Sequence, residues 1–129
     1  HNLAYWRGWD YVGAGPGAHG RLTLDGRRIA TTAHRRAGDY IAAVDQAGPG
    51  FAERETLSAR DIALERLLMG LRTLEGVPLA ELAGLPLAPD DARIATFAEA
   101  GLLAARDGRL IATANGRRVL DRLVVDLVA

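Results

Sequence analysis

Asp10-Tyr11-Val12-Gly13-Ala14-Gly15-Pro16-Gly17-Ala18-His19-Gly20 runs from an apolar entry into four glycines and a proline within eight residues. That is strand-to-loop chemistry, because glycine admits positive φ and close backbone approach. Downstream, Arg21-Leu22-Thr23-Leu24 and Arg27-Arg28-Ile29-Ala30-Thr31-Thr32 are two β-prone runs around Asp25-Gly26, a pair suited to a two-residue type I′ turn. Residues 38–47 then carry Tyr40, Ile41, Val44 and Ala47 at helical spacing, with Asp39 near the start, and stop at Gly48-Pro49-Gly50. This break is the expected domain boundary, giving a first segment of 1–50 and a second of 51–129.

Beyond the break the periodicity turns helical. Thr56 or Ser58 is placed to cap a helix reaching about Thr73, with Leu57, Ala59, Ile62, Leu64, Leu68 and Leu71 as its apolar stripe. Gly76-Val77-Pro78 ends it, residues 79–83 make a short helical turn, and Pro89 with Asp90 or Asp91 opens a helix through Ala100 that Gly101 stops. Residues 102–105 and 109–113 flank Asp107-Gly108 as a second hairpin. Thr113 or Asn115 then caps a closing helix containing Val119, Leu120, Leu123, Val124 and Leu127. Helix, short helix, helix, hairpin, helix is a winged-helix-like order, and the fold class is α+β.

Composition narrows the chemistry. Sixteen bases balance sixteen acids among 129 residues and every base is arginine, so global charge names no partner. The first 36 residues nevertheless hold six arginines against Asp10 and Asp25, enough to receive an anionic ligand. With no cysteine, the chain supplies no disulfide, thiolate nucleophile or cysteine-ligated iron-sulfur cluster. No apolar run approaches the roughly 20 residues that span a bilayer, and no secretory signal pattern is present, so the sequence reads as cytoplasmic. It starts at His1 in what looks like the middle of a domain and reads as a fragment.

Several constellations carry two readings. His1-Asn2-Leu3-Ala4-Tyr5-Trp6 joins an imidazole, an iron ligand, to two aromatics that pack on flat macrocycles. Read plainly, the same residues are packing groups at a strand end. Gly13-x-Gly15-x-Gly17 departs from a dinucleotide fingerprint, since the third glycine comes one residue early and a hairpin follows instead of a helix. It is either a tight turn or the lining of a barrel pocket. His1, His19 and His34 are too scattered for a metal triad, and Asp61 with Glu65, flanked by Arg60 and Arg66, suits a solvated ion-paired face better than acid-base catalysis. The winged-helix order raises a nucleic-acid-binding module as a reading of another class. Asp90, Asp91 and Glu99 against Arg93 on its recognition helix argue against it, while Arg106, Arg109, Arg117 and Arg118 near the wing argue for it.

His1-Asn2-x-x-Tyr5-Trp6 followed by Asp10-Tyr11-x-Gly13-x-Gly15-x-Gly17-Ala18-His19-Gly20 resembles the motif pair at the end of the barrel in the HemN/HemW family of radical-SAM proteins. Glu65-x-x-x-Met69-Gly70-Leu71-Arg72 with Gly76-Val77, and Gly101-Leu102-Leu103 followed by Asp107-Gly108-Arg109-Leu110-x-x-Thr113-x-x-Gly116-Arg117, resemble the family's C-terminal domain. The resemblance implies a parent with a CxxxCxxC motif, a [4Fe-4S] cluster, S-adenosylmethionine and a partial (β/α) barrel. Residues 1–50 would end that barrel, and 51–129 would form the mostly helical, winged-helix-like domain. The HNxxYW form implies a heme chaperone that binds heme through His1, with Tyr5 and Trp6 beside the porphyrin, and hands it to a recipient hemoprotein. The alternative is an oxygen-independent coproporphyrinogen III oxidase of porphyrin biosynthesis. Gly13, Gly15, Gly17 and Ala18 would line the cofactor pocket, and Arg7 and Arg21 are candidates to pair the heme propionates. A homodimer is a possible assembly, no nucleic-acid partner is expected, and without cluster ligands this chain would perform no radical chemistry alone.

Overall fold

Both Asp-Gly pairs form the turns their chemistry demands. In the computed structural model of the protein, which describes residues 2–129, Asp25 and Gly26 have φ of 49° and 72°, and Asp107 and Gly108 have 53° and 70°. Positive φ at both central residues matches the turn to the right-handed twist of the flanking strands. His1, and with it the expected iron ligand, lies outside the described residues.

The chain divides into two compact units: residues 9–58, and residues 2–8 together with 59–129. In the first, β1 (His19–Leu24), β2 (Arg27–Ala33) and β3 (Phe51–Thr56) form an antiparallel sheet in the order β1-β2-β3, with Gly20 opposite Thr31 and Ile29 opposite Thr56. The helix expected at 38–47 is observed as Ala37–Ala47, and α1 (Asn2–Trp6) precedes it, so it is labelled α2. Residues after Gly48-Pro49-Gly50 return as a third strand, and the two compact units meet along the chain at 58/59. Alternating charge in Phe51-Ala52-Glu53-Arg54-Glu55-Thr56 hides this strand from a hydrophobic-pattern reading, because β3 is an edge strand exposed along nearly its whole length.

The second unit holds the core. Its elements are α1, α3 (Ala59–Gly70), β4 (Val77–Pro78), a 3₁₀ turn (Leu79–Leu82), α4 (Ala92–Glu99), β5 (Leu103–Arg106), β6 (Arg109–Ala112), α5 (Ala114–Arg118) and α6 (Leu120–Val128). The strands pair antiparallel in the order β4-β6-β5, with Val77 opposite Leu110 and Leu103 opposite Ala112. Among the described residues, the buried hydrophobic side chains all lie within 63–127 apart from Ala33. The buried face of α3 is Ala63, Leu67 and Gly70, continued by Leu71, while Leu64 and Leu68 only flank it. Leu71 is common to the expected and observed stripes, while the rest sits one position away from expectation, with Gly70 letting β4 approach: a Cβ there would lie 2.6 Å from Val77 Cβ.

Helix ends also differ from expectation for identifiable reasons. Thr73, buried, donates through Oγ1 to Gly70 O at 2.7 Å and accepts from Gly76 N at 3.1 Å, so α3 closes at Gly70 and Thr73 belongs to its stop. Gly76-Val77-Pro78 is a short strand as well as a stop. The closing helix is two helices broken at Val119, and Thr113, not Asn115, is the cap, its Oγ1 accepting from Gly116 N at 3.0 Å. His1-to-Trp6 had the look of a strand end; residues 2–6 are helical.

Asp91 caps α4 by accepting from Arg93 N at 2.9 Å and from the Arg93 guanidinium at 2.8 and 2.9 Å. Hydrogen bonds from the Arg93 side chain, then from its backbone N–H, hold the Asp91 carboxyl down from 3.8 to about 2. A depressed folded-state value means that the ionised carboxylate stabilises the fold fully above pH 3.8, and that this contribution is lost as pH falls towards 2. Acid titration of the thermal midpoint should therefore fall less steeply over that window in Asp91→Ala than in the parent chain; identical slopes would contradict the cap's role.

Candidate functional site

The helix that carries Tyr5 and Trp6 is short and only half-buried at Ala4, Tyr5 and Trp6, with no fully buried residue to anchor it. Side chains from elsewhere in the same unit hold it. Arg66 of α3 donates from Nη1 to Trp6 O at 2.8 Å and from Nε to Glu81 Oε2 at 2.5 Å. Arg7, just past the helix, forks onto both carboxylate oxygens of Glu75 at 2.8 and 3.2 Å. Each partner of this pair favours the charged form of the other, raising Arg7 and lowering Glu75. Gly8 follows with φ of 72°, and a Cβ there would lie 2.5 Å from Arg66 Cδ.

α1 and the end of α3 border a cleft of about 330 Å³ lined by Leu3, Trp6, Arg72, Thr73, Leu74 and Glu75. Leu3 is 45% exposed and Leu74 80%, so apolar surface faces outward beside the indole. Arg72 also lines a second cleft, of about 390 Å³, with Arg117, Arg118, Asp121 and Arg122. One guanidinium therefore borders an apolar hollow on one side and an arginine-rich hollow on the other.

The glycine loop belongs to the other unit. Tyr11 and Arg21 exchange backbone hydrogen bonds at 2.8 and 2.9 Å, extending the edge of β1. Gly13 and Gly20 are required by close approach: a Cβ on Gly13 would lie 2.5 Å from His19 O, and one on Gly20 2.5 Å from Thr31 Oγ1. Gly17 N donates to His34 O at 2.8 Å, and Ala18 N to Gly15 O at 3.3 Å. Gly15 differs, with φ of 98°, no heavy atom within 4 Å of a notional Cβ, and an N–H that meets Tyr40 Oη at 3.2 Å. Most of the loop is thus accounted for as a turn, with Gly15 as its open position.

Of the two arginines suggested for propionate pairing, Arg7 is engaged by Glu75, and Arg21, in the other unit, donates from Nη1 to Gly20 O at 2.9 Å. Neither lines the clefts beside Trp6. Sequence reasoning missed three contributors: Arg66, which holds α1, and Leu74 and Arg72, which shape the cleft. Arg66 carries a sequence signal only as one of the bases flanking Glu65, and it pairs with Glu81 instead. Asp10 is also structural, accepting from Thr23 N at 2.6 Å, Thr23 Oγ1 at 2.9 Å and Arg28 at 2.8 Å; the Thr23 bonds are the main reason that its carboxyl is held below the usual range. Among the described residues, no group of three or more His, Cys, Asp or Glu is arranged to hold a metal ion.

Of the five bases weighed for nucleic acid, Arg106 and Arg118 are exposed and the other three bond backbone carbonyls of their own unit. Arg93 donates to Leu127 O, Ala129 O and Pro86 O, lacing the start of α4 to the end of α6. Arg109 donates to Glu75 O and Gly76 O, and Arg117 to Ala112 O.

Comparison with known proteins assigns the class. The HemN C-terminal domain matches residues 57–119. Over 129 residues, 99% of this chain and 31% of its relative, the sequence is 33% identical to heme chaperone HemW of Mycobacterium tuberculosis. It is 37% identical over 82 residues to heme chaperone HemW of Escherichia coli, covering 63% of this chain and 20% of that protein. It is also 42% identical over 81 residues, 60% of this chain and 18% of the relative, to the mitochondrial radical S-adenosyl methionine domain-containing protein 1 of Danio rerio. The solved structure of coproporphyrinogen III oxidase (HemN) from Escherichia coli, a radical SAM enzyme, matches the fold with a TM-score of 0.62 at 18% identity, over 94% of this chain and 29% of that one. The chain belongs to the HemN/HemW family of radical-SAM proteins. It spans between about a fifth and a third of the length of these curated relatives.

Proposed function

We propose that these residues serve a heme chaperone that binds heme and passes it to a recipient hemoprotein. The observation that carries the reading is the cleft beside Trp6, where outward-facing leucines and an arginine adjoin the helix of the HNxxYW motif. This donor set fits a macrocycle that is apolar over its faces and carboxylated at one edge. His1 would ligate the iron, and Tyr5 and Trp6 would lie beside the porphyrin. When bound, heme supplies the iron that accepts the imidazole; the chain supplies the apolar seat and the cations. Gly13, Gly15, Gly17 and Ala18 line the cofactor pocket of the parent, with Gly15 the position most open to a ligand.

In this reading, the unit of residues 9–58 ends the parent's barrel, and residues 59–129 are a winged-helix-like domain, an order consistent with a β4-β6-β5 sheet around α3 and α4. Arg93, Arg109 and Arg117 bind carbonyls of their own unit, which supports leaving nucleic acid out of the partners. The [4Fe-4S] cluster and S-adenosylmethionine belong to the parent, since this chain has no cysteine to ligate a cluster. The parent acts in the cytoplasm; among the described residues no helix is long and apolar enough to cross a membrane.

The test is a heme titration of the full-length protein beside its His1→Ala variant, followed by the Soret band. Loss of the ligand band and a large drop in affinity are expected. Unchanged spectra and affinity would reject His1 as the ligand and favour coproporphyrinogen oxidation, to be assayed by S-adenosylmethionine cleavage.

A further inference from the structure

We infer that Arg72 is the residue that holds the carboxylates of the macrocycle, a proposal that rests on the heme reading and goes beyond it by naming the cation. Three features converge on this side chain. Arg72 is the residue common to the two clefts: one side meets Leu3, Trp6 and Leu74, and the other meets Arg117, Arg118 and Arg122. A ligand with an apolar face and anionic edge lying on Trp6 and Leu74 would therefore direct its edge towards the arginines.

The guanidinium is also available. Its Nη1 donates to Leu68 O of α3, two residues beyond whose end it stands, and its Nη2 lies 3.7 Å from Asp121 Oδ1, on a side chain that is 93% exposed. These contacts occupy at most two of the five N–H donors, and the distance to Asp121 is longer than a hydrogen bond. Arg72 is itself 37% exposed.

The third feature is the neutralised wall. Glu75 lines the apolar cleft and would repel an anion, but the Arg7 fork meets both of its oxygens. Arg7 thus acts on the site through Glu75, which accounts for an arginine so close to the motif without any contact between it and the ligand. Around the second cleft Arg72, Arg117, Arg118 and Arg122 stand against Asp121 and against Asp126, which pairs with Arg122 at 2.9 Å, so the balance there is still positive and favours an anion.

The experiment uses full-length protein with two probes, heme and heme dimethyl ester, whose propionates are uncharged. Wild type should bind heme about tenfold more tightly than the ester, as expected for one charge-assisted contact. Arg72→Ala should weaken heme by a similar factor while leaving ester affinity and the Soret position unchanged, and Arg72→Lys should recover part of the loss. Equal affinity of wild type for the two probes would overturn the proposal without any variant, as would an Arg72→Ala protein that binds heme normally or loses both probes equally. Failure of wild type to bind heme at all would instead remove the chaperone reading on which the proposal rests, and the two failures are told apart by the wild-type titration alone.

Discussion

A Gly76→Ala variant should lose about 3 kcal/mol or more of stability in urea unfolding, combining left-handed strain of ~1 kcal/mol or more with overpacking of ~1–3 kcal/mol. Gly76 has φ of 68°, and a Cβ there would lie 2.1 Å from Leu110 O and 2.8 Å from Ile111 Cγ1. Neither the residue nor its neighbour is free to move. Gly76 N donates to Thr73 Oγ1 and Gly76 O accepts from Arg109, while Leu110 sits in β6 between β4 and β5. Gly101→Ala is the control: φ is 72°, with nothing within 4 Å of a Cβ, so it should show the strain alone. Equal losses at the two positions would mean that the close approach of the α3 stop to β6 contributes nothing.

Leu67→Ala should cost ~2–5 kcal/mol, the range for deleting a fully buried leucine. Leu67 is 0% exposed at the middle of the buried face of α3, in one cluster with Leu82, Leu110, Leu123 and Leu127. Shrinking it leaves a hole that strands and helices on all sides are too constrained to fill. Leu74→Ala provides the contrast. At 80% exposed it should change stability by less than ~0.5 kcal/mol, yet weaken heme binding if the cleft beside Trp6 is the seat. Calorimetry of the two variants separates a leucine that builds the fold from one that faces a ligand, and equal destabilisation would contradict the burial difference.

Hairpins and helix N-caps were the legible parts of the fold. Asp25-Gly26 and Asp107-Gly108 determine their turns locally, and Thr113 and Asp91 cap by short-range hydrogen bonds, so nearby residues suffice to read them. What escaped depends on partners far along the chain. β3 is a strand because β2 pairs with it, since its own residues carry no apolar alternation. The shift of the α3 stripe follows from β4 packing against Gly70, a contact that helical periodicity does not contain. Gly48-Pro49-Gly50 has the composition of a linker, but Gly50 is buried, and a Cβ on it would lie 2.7 Å from Tyr40 Cε2.

The cleft beside Trp6 was not legible in the sequence as a surface. His1, Tyr5 and Trp6 stand close in sequence, whereas Arg72 and Leu74 follow the end of α3 and join Trp6 only through folding. Arg7 and Arg21 were attractive as bases near the motif, but charge proximity in sequence says nothing about which carboxylate or carbonyl will claim a guanidinium.

The chain leaves its larger unit at residue 8 and re-enters it at residue 59, with a sheet and a helix completed in between. Docking α1 on α3 therefore closes a loop, and the entropy of that closure is much reduced once residues 9–58 have collapsed into a folded unit. The motif helix is thus tethered at the mouth of a loop whose span residues 9–58 set, and within its own unit Arg66 and Arg7 secure it.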